Sequence, residues 1–441
     1  MKLFRSRAAA GSKGASPDAE AALKPGGFFH ALRALRHRNF RLFYIGQSIS
    51  MIGTWITRIA MAWLVYRLTR SPWMLGAIGF ANQIPAFLLA PLAGVIVDRA
   101  DRRRLLIATQ TLLMAHALLL AAFTLSHRIA IPALFALSIF QGLVSTLDMP
   151  NRHSLTIHLI DDREDLPNAI ALISSMLNAS KLIGPSLAGL LIAVAGEGWC
   201  FLVDGVSYGA VILSLLWMRL RQEKRQSASV GVAMQLRQGW TYVSASLPIR
   251  SMLLLFALVC LIGMPFSVLM PVFAEQLLHS GPNTLGLLMG ALGLGALASA
   301  IGMTMRQSMR GLCDQIPWSV MLFGGCLALF AFSHWLWLSL LLLLAGGFGL
   351  FRGNNATNIM LQTLVDDTMR GRVMSYFSFS LEGLAPWGSL LAGAMAHFLG
   401  ASLAVLICGA ACILGGLWFR LRLNRILHVI RASHDSSNGA H

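Results

Sequence analysis

The sequence predicts an all-α membrane protein: 12 transmembrane helices arranged as two parallel six-helix repeats. Three observations carry that prediction. Apolar runs of about 20 residues recur along nearly the whole chain, the length a helix needs to cross a hydrocarbon core of ~30 Å. Hydrophobic residues make up 56% of the 441 residues and charged residues only 12%, about half the share usual in a soluble domain. Finally, short patterns in the first half return in the second at a nearly constant offset.

The spans are read at 41–66, 73–97, 105–126, 131–150, 168–195, 199–219, 250–274, 284–305, 316–333, 335–352, 373–399 and 401–420. Residues 1–40 precede them. Residues 1–25 are small, polar and basic and lack the apolar core of a signal peptide, so a disordered tail is expected. Phe28, Phe29, Leu32 and Leu35 then fall at helical spacing among Arg33, Arg36 and Arg38, which predicts an amphipathic juxtamembrane helix. Residues 41–219 form a first bundle and 250–420 a second. Residues 220–249, opening with Arg221-Gln222-Glu223-Lys224-Arg225, are the linker between them, and 421–441 are a polar C-terminal tail.

The formal charge is +17. In a soluble chain this would point to nucleic acid, but position decides otherwise. Of the 35 Lys and Arg, all but Arg58, Arg67, Arg70, Arg128 and Lys181 lie in or beside the two tails and the even-numbered connections. That asymmetry predicts an inner-membrane protein with both termini cytoplasmic. Membrane lipids are then its surroundings, nucleic acid is no partner, and a monomer is expected.

The repeats carry the duplication. Pro72, Leu75 and Gly76 return as Pro282, Leu285 and Gly286, and Ile52-Gly53 as Ile262-Gly263, both 210 residues on. Leu177, Gly184 and Leu187-Ala188-Gly189 return as Leu381, Gly388 and Leu391-Ala392-Gly393, 204 residues on, and Asp161-Asp162 as Asp366-Asp367. Six spans per unit is an even number, so both units enter from one side and are parallel repeats. Transporters built this way bind substrate at mid-membrane between the halves.

The connection between spans 2 and 3 reads Gly94-Val-Ile-Val-Asp98-Arg99-Ala-Asp101-Arg102-Arg103-Arg104. Here the chain resembles the major facilitator superfamily, whose signature is G-x-x-x-D-[RK]-x-G-[RK]-[RK]. Gly94, Asp98, Arg99, Arg102 and Arg103 match, and Asp101 stands where the second glycine is usual. Gln141-Gly142 in span 4 fits part of R-x-x-Q-G, with Ser138 in place of the arginine associated with proton coupling. Gly184, Pro185 and Gly189 match part of the antiport pattern of span 5, which serves either export or tight packing. The stretches 39–64, Asp148-Met-Pro-Asn-Arg152 and 361–372 look like the branch containing enterobactin exporters and macrolide efflux proteins.

The resemblance implies the major facilitator fold and a cytoplasmic gate of Gly94, Asp98, Arg99, Arg102, Arg103 and Asp148. In it, Asp98 would cap the N-terminus of span 11 when the protein faces outward, and Arg102 could pair with Asp148.

Ionisable residues inside spans are costly and point to function. Gln47, Ser50, Thr54 and Arg58 share a face of span 1, lining a substrate cavity or forming a helix–helix seam. Asn178 and Lys181 lie mid-span in helix 5, where Lys181 would meet an anionic substrate or a structural carboxylate. Glu382 lies about ten residues into span 11, roughly 15 Å deep at 1.5 Å per residue. It is the proton-coupling candidate, with a structural ion pair as the alternative. Asp204 reads as a helix-end residue or a coupling site, and His116 as a packing histidine. The six cysteines, including Cys408 and Cys412 on one helix face, read as packing residues.

There is no G-x-x-x-x-G-K-[ST], no metal-ligand cluster and no nucleophile elbow. No enzyme activity and no cofactor are therefore expected. The function expected is secondary active export of a small amphiphilic molecule, such as a siderophore or antibiotic, by alternating access, an antiport driven by the proton gradient. Lysophospholipid flipping on the same fold and a non-transporting membrane receptor are the alternatives.

Overall fold

A computed structural model describes residues 32–157, 159–160, 162–218, 232–305 and 311–438. Among the described residues the chain is helical, without a strand. The first half contains α1 (Arg38–Thr69), α2 (Pro72–Arg99), α3 (Arg102–Leu125), α4 (Ile131–Ile157), α5 (Leu166–Ala195) and α6 (Glu197–Trp217). The second contains α7 (Leu247–Leu277), α8 (Pro282–Thr304), α9 (Leu312–Phe330), α10 (Leu336–Leu364), α11 (367–399) and α12 (Ala401–Asn438). A linker helix, Val232–Ala245, lies between them.

Eleven of these helices are long and apolar enough to cross a membrane. The remaining one, α11, is divided. Its pieces Asp367–Ser378 and Ala385–Leu399 are 12 and 15 residues long and flank a wide π turn, Phe379–Gly383. The apolar run over 373–399 predicts one span, but hydrophobicity does not register the extra residue that a π turn inserts. Near its middle, α7 is likewise interrupted by a π turn at Val259–Gly263 and a tight turn at Met264–Leu269.

Helix ends follow local chemistry. Pro72 and Pro282 sit in the first turns of α2 and α8, where a missing N–H costs nothing. Asp101 caps α3, its carboxylate accepting the Arg104 N–H at 2.9 Å. Its backbone is extended, with φ −70°. The family's glycine is therefore not needed at this position for its conformation. Gly196 and Gly400 end α5 and α11 with φ +88° each, 204 residues apart. Arg70 and His279, also left-handed, end α1 and α7 in the same way.

Several boundaries differ from the sequence reading. The helix of span 10 continues to Leu364, about three turns beyond the apolar run. The helix of span 4 continues through Pro150 to Ile157, about two turns beyond the apolar run. The last helix continues to Asn438, so most of the expected polar tail extends α12. The juxtamembrane segment is a short 3-10 turn at Arg33–Arg36, and Phe28 and Phe29 lie outside the described residues.

The halves pack alike. In the first, α1 packs on α5 and α6, α2 on α4, and α3 on α4 and α6. In the second, α7 packs on α12, α8 on α10, and α9 on α10 and α12. The halves meet along α2–α11 and α5–α8. Exchanging the two repeats turns one of these contacts into the other, the pattern of a two-fold axis along the membrane normal. Large apolar side chains face outward, among them Leu88, Val194 and Leu421. Trp199, Trp335 and Trp337 are exposed near one edge and Trp217, Trp240 and Trp318 near the other, as expected of interfacial aromatic belts.

Candidate functional site

The face at which α1 begins and α12 ends is the terminal face, and the other the opposite face. Contacts between the halves are closest where glycines allow backbones to meet. A Cβ at Gly76 of α2 would lie 2.9 Å from the Cα of Gly393 in α11, and one at Gly189 of α5 would lie 3.0 Å from the Cα of Gly286 in α8. Gln83 donates to Ser389 Oγ at 3.2 Å. Phe80 and Phe87 of α2 stack edge-on against Trp387 of α11. Arg70, beyond α1, pairs with Glu275 at the end of α7. Each of these contacts lies between mid-membrane and the opposite face.

Of the polar face of α1, Gln47 and Ser50 are buried, at 0% and 2% exposure. The neighbouring Gly46 and Gly53 press against Ser214, Ser207 and Asp204 of α6. Thr54 donates to Ser50 O at 3.0 Å and lies 3.4 Å from Tyr208 Oη of α6. Arg58 differs: its side chain is exposed although it stands within the membrane-spanning part of α1. Its guanidinium lies 5.0 Å over the Trp55 ring, and Trp55 packs on Gly184 of α5.

One turn before Gly184, Lys181 extends its ammonium over Phe351 of α10, at 5.1 Å. Phe351 belongs to the other half, so Lys181 lies where the halves face each other. Asn178, on the same side of α5, is partly exposed. Glu382 lies in the π turn of α11, exposed, and no described residue pairs with it. Such turns recur at functional positions.

The gate residues divide. At Gly94 nothing lies within 4 Å of where a Cβ would be. The side chain of Asp98 lies outside the described residues. Arg99 is exposed. Arg103 donates to the carbonyls of Leu215 and Leu216, both at 2.9 Å, capping the end of α6. The Arg102 carbonyl accepts from Asn151 of α4 at 2.9 Å. Asp148 is buried at 3% exposure and accepts from Thr109 and Gln110 of α3, both at 2.7 Å. Its ion pair is with Arg152, one turn on along α4. Asp148 therefore stitches α3 to α4 within the first half.

Sequence reasoning missed several partners. Arg152 was visible four residues after Asp148, a spacing that brings helix side chains together. Arg67–Glu197 (2.7 Å) and Arg70–Glu275 join distant connections, which no local signal reveals. Asp165 gathers Arg33, Arg36 and His37 at 2.9–3.0 Å, tying the juxtamembrane turn to the start of α5. The His37 hydrogen bond first, then the Arg36 bond and the charges of Arg36 and Arg33, hold the Asp165 carboxyl below the usual carboxylate range, against the opposing effect of its burial. His116 is buried and stacked on Phe140.

A family model described as transmembrane secretion effector matches residues 30–438. The chain belongs to this family of major facilitator transporters. It is 24% identical over 361 residues to the staphyloferrin A transporter of Staphylococcus aureus, covering 82% of this chain and 90% of that one. To the multidrug efflux pump Tap of Mycolicibacterium fortuitum it is 24% identical, covering 82% and 91%. To the enterobactin exporter EntS of Salmonella typhimurium it is 24% identical, covering 60% and 63%. The fold matches the crystal structure of a POT family transporter in complex with 5-aminolevulinic acid, with a TM-score of 0.70 at 14% identity, covering 91% and 98%. The transporter is a multi-pass membrane protein of the efflux branch.

Proposed function

We propose that this transporter exports a small amphiphilic molecule, a siderophore, drug or similar compound, by alternating access between its two halves. One observation carries the reading: the contacts that join the halves run from mid-membrane to the opposite face, closing one end of the path between them. The arginine-rich terminal face is the cytoplasmic one, so the closed end is the outer end and the structure is the inward-open arrangement. Arg58, Asn178 and Lys181 then line the cavity that receives cargo from the cytoplasm, and Gln47, Ser50 and Thr54 form the seam behind it. When the halves rock, the Gly94–Arg103 connection and Asp148 border the closing inner gate. Glu382 is the proton carrier, and return of a proton down its gradient drives export by a monomer. The siderophore and drug transporters among the relatives support the cargo class.

The test is counterflow in vesicles reconstituted with the full chain, preloaded with unlabelled siderophore or macrolide and given a labelled trace outside. Transient accumulation above equilibrium is expected. Binding without counterflow across such a panel would instead mark a receptor.

A further inference from the structure

We propose that the cargo is an organic anion, its oxyanion group held between Arg58 of α1 and Lys181 of α5. This rests on the transport reading above and names the chemistry of its cargo. The two cations come from helices locked together where Trp55 meets Gly184, and each stands three residues from that contact, Arg58 after Trp55 and Lys181 before Gly184.

Neither has a carboxylate partner among the described residues. Asp148 is occupied by Arg152, Thr109 and Gln110. Asp204 accepts from the Ser207 hydroxyl at 3.5 Å. Glu197 and Glu275 are taken by Arg67 and Arg70, and Glu382 pairs with neither cation. Two cations on contacting helices at membrane depth, with no counter-ion among the described residues, are costly, and such residues mark substrate paths. The contacts that both cations do make are with ring faces, Trp55 and Phe351. A ring face stabilises a cation without neutralising it, so the N–H groups stay available.

The pair matches a particular ligand. A guanidinium grips a planar carboxylate with two parallel hydrogen bonds, and an ammonium adds a point charge beside it. Trp55 and Phe351 would cover an apolar or aromatic body attached to that group. A carboxylate or a phosphate ester would satisfy the cations alike, and the experiment separates them.

The experiment uses purified full-length protein and four probes on one ring system: 2-naphthoate, 2-naphthyl phosphate, neutral 2-naphthol and 2-naphthylmethylammonium. Binding is read as saturable thermal stabilisation. At least one anion should bind tenfold or more tightly than naphthol, and the ammonium should not bind. Preference between the two anions names the oxyanion. Arg58→Gln and Lys181→Gln should each weaken anion binding at least tenfold, whereas Lys181→Arg, which keeps the charge, should stay within threefold of wild type. Where a Gln variant fails to fold, the comparison of Lys181→Arg with Lys181→Met serves in its place. Equal binding of naphthol and the anions overturns the proposal, as does anion binding indifferent to both positions. Counterflow of a neutral or cationic drug that the anions do not inhibit would overturn the anion assignment and leave transport standing. Charge-dependent anion binding without any counterflow would do the reverse.

Discussion

Gly76 and Gly393 bring α2 and α11 into backbone contact, and the repeats supply its counterpart in Gly286 and Gly189. Gly76 and Gly286 occupy equivalent positions of the two repeats, as do Gly189 and Gly393. The glycines that reveal the duplication in the sequence are thus the ones through which its copies touch. Gly76→Val or Gly286→Val introduces atoms where backbone already lies, at a cost to the closed end at the opposite face of about 1–3 kcal/mol. Spin labels at Arg128→Cys and His334→Cys, exposed in equivalent connections of the two halves, should report a larger separation in either variant. An unchanged distance distribution would show that these contacts do not hold that end shut.

The Arg70–Glu275 pair crosses between the halves at the same end. Its side chains are 60% and 27% exposed, so screening limits it to about 1 kcal/mol or less. Arg70→Glu should open the same label pair by a few-fold shift in population, and Arg70→Glu with Glu275→Arg should restore it. Failure of the double variant to restore the distance would assign Arg70 a different role.

Asp148 and Arg152 form the buried pair of the first half, with side chains 4% and 21% exposed. Asp148→Ala strands a partly buried guanidinium, a loss of about 3–5 kcal/mol. Asp148→Leu with Arg152→Met should recover much of it. Thermal unfolding in detergent measures both, and the double variant melting below Asp148→Ala would contradict the pairing.

For Glu382, the substitution to Gln should reduce pH-gradient-driven flux at least tenfold while leaving counterflow, which needs no proton movement, near wild type. Loss of both would indicate a structural carboxyl, and retention of both would remove Glu382 from the coupling path.

The Asp165 clasp gives a pH dependence with a definite sign. Its carboxyl is held below the usual range in the folded protein, so its contribution is complete at neutral pH and is lost as pH falls through that lowered value. Hydrogen exchange over residues 33–41, corrected for intrinsic rates, should accelerate under acid, and Asp165→Asn should show the faster exchange already at pH 7. Slow exchange in the variant at pH 7 would mean that other contacts hold the segment.

Much of the fold was legible in the sequence because membrane insertion leaves strong traces: apolar length, arginine placement and glycines wherever helices cross closely. The site was less so. A face of a helix can be read from spacing, but not what it meets, so Gln47 and Arg58 looked alike although one is buried and the other open. The spacing around Asp148 offered Arg152 one turn on, but not Thr109 and Gln110 of α3. The break at Glu382 was invisible because a π turn changes hydrogen bonding and not composition.

That break also bears on how the path stays sealed. Both interrupted helices, α7 and α11, belong to the second half, while the first-half helices run unbroken. In α11 the limb that carries Gly393 is separated from the limb beneath it by the turn at Phe379–Gly383. The lower limb is tied to the linker helix through Tyr242 and Asp366, at 3.1 Å. On the proposed alternating-access reading, a joint between the limbs would let the lower one swing toward the first half while Gly76 still grips the upper one. The inner mouth would then shut before the outer mouth parts, giving an occluded intermediate in which cargo is trapped and ions cannot leak past it.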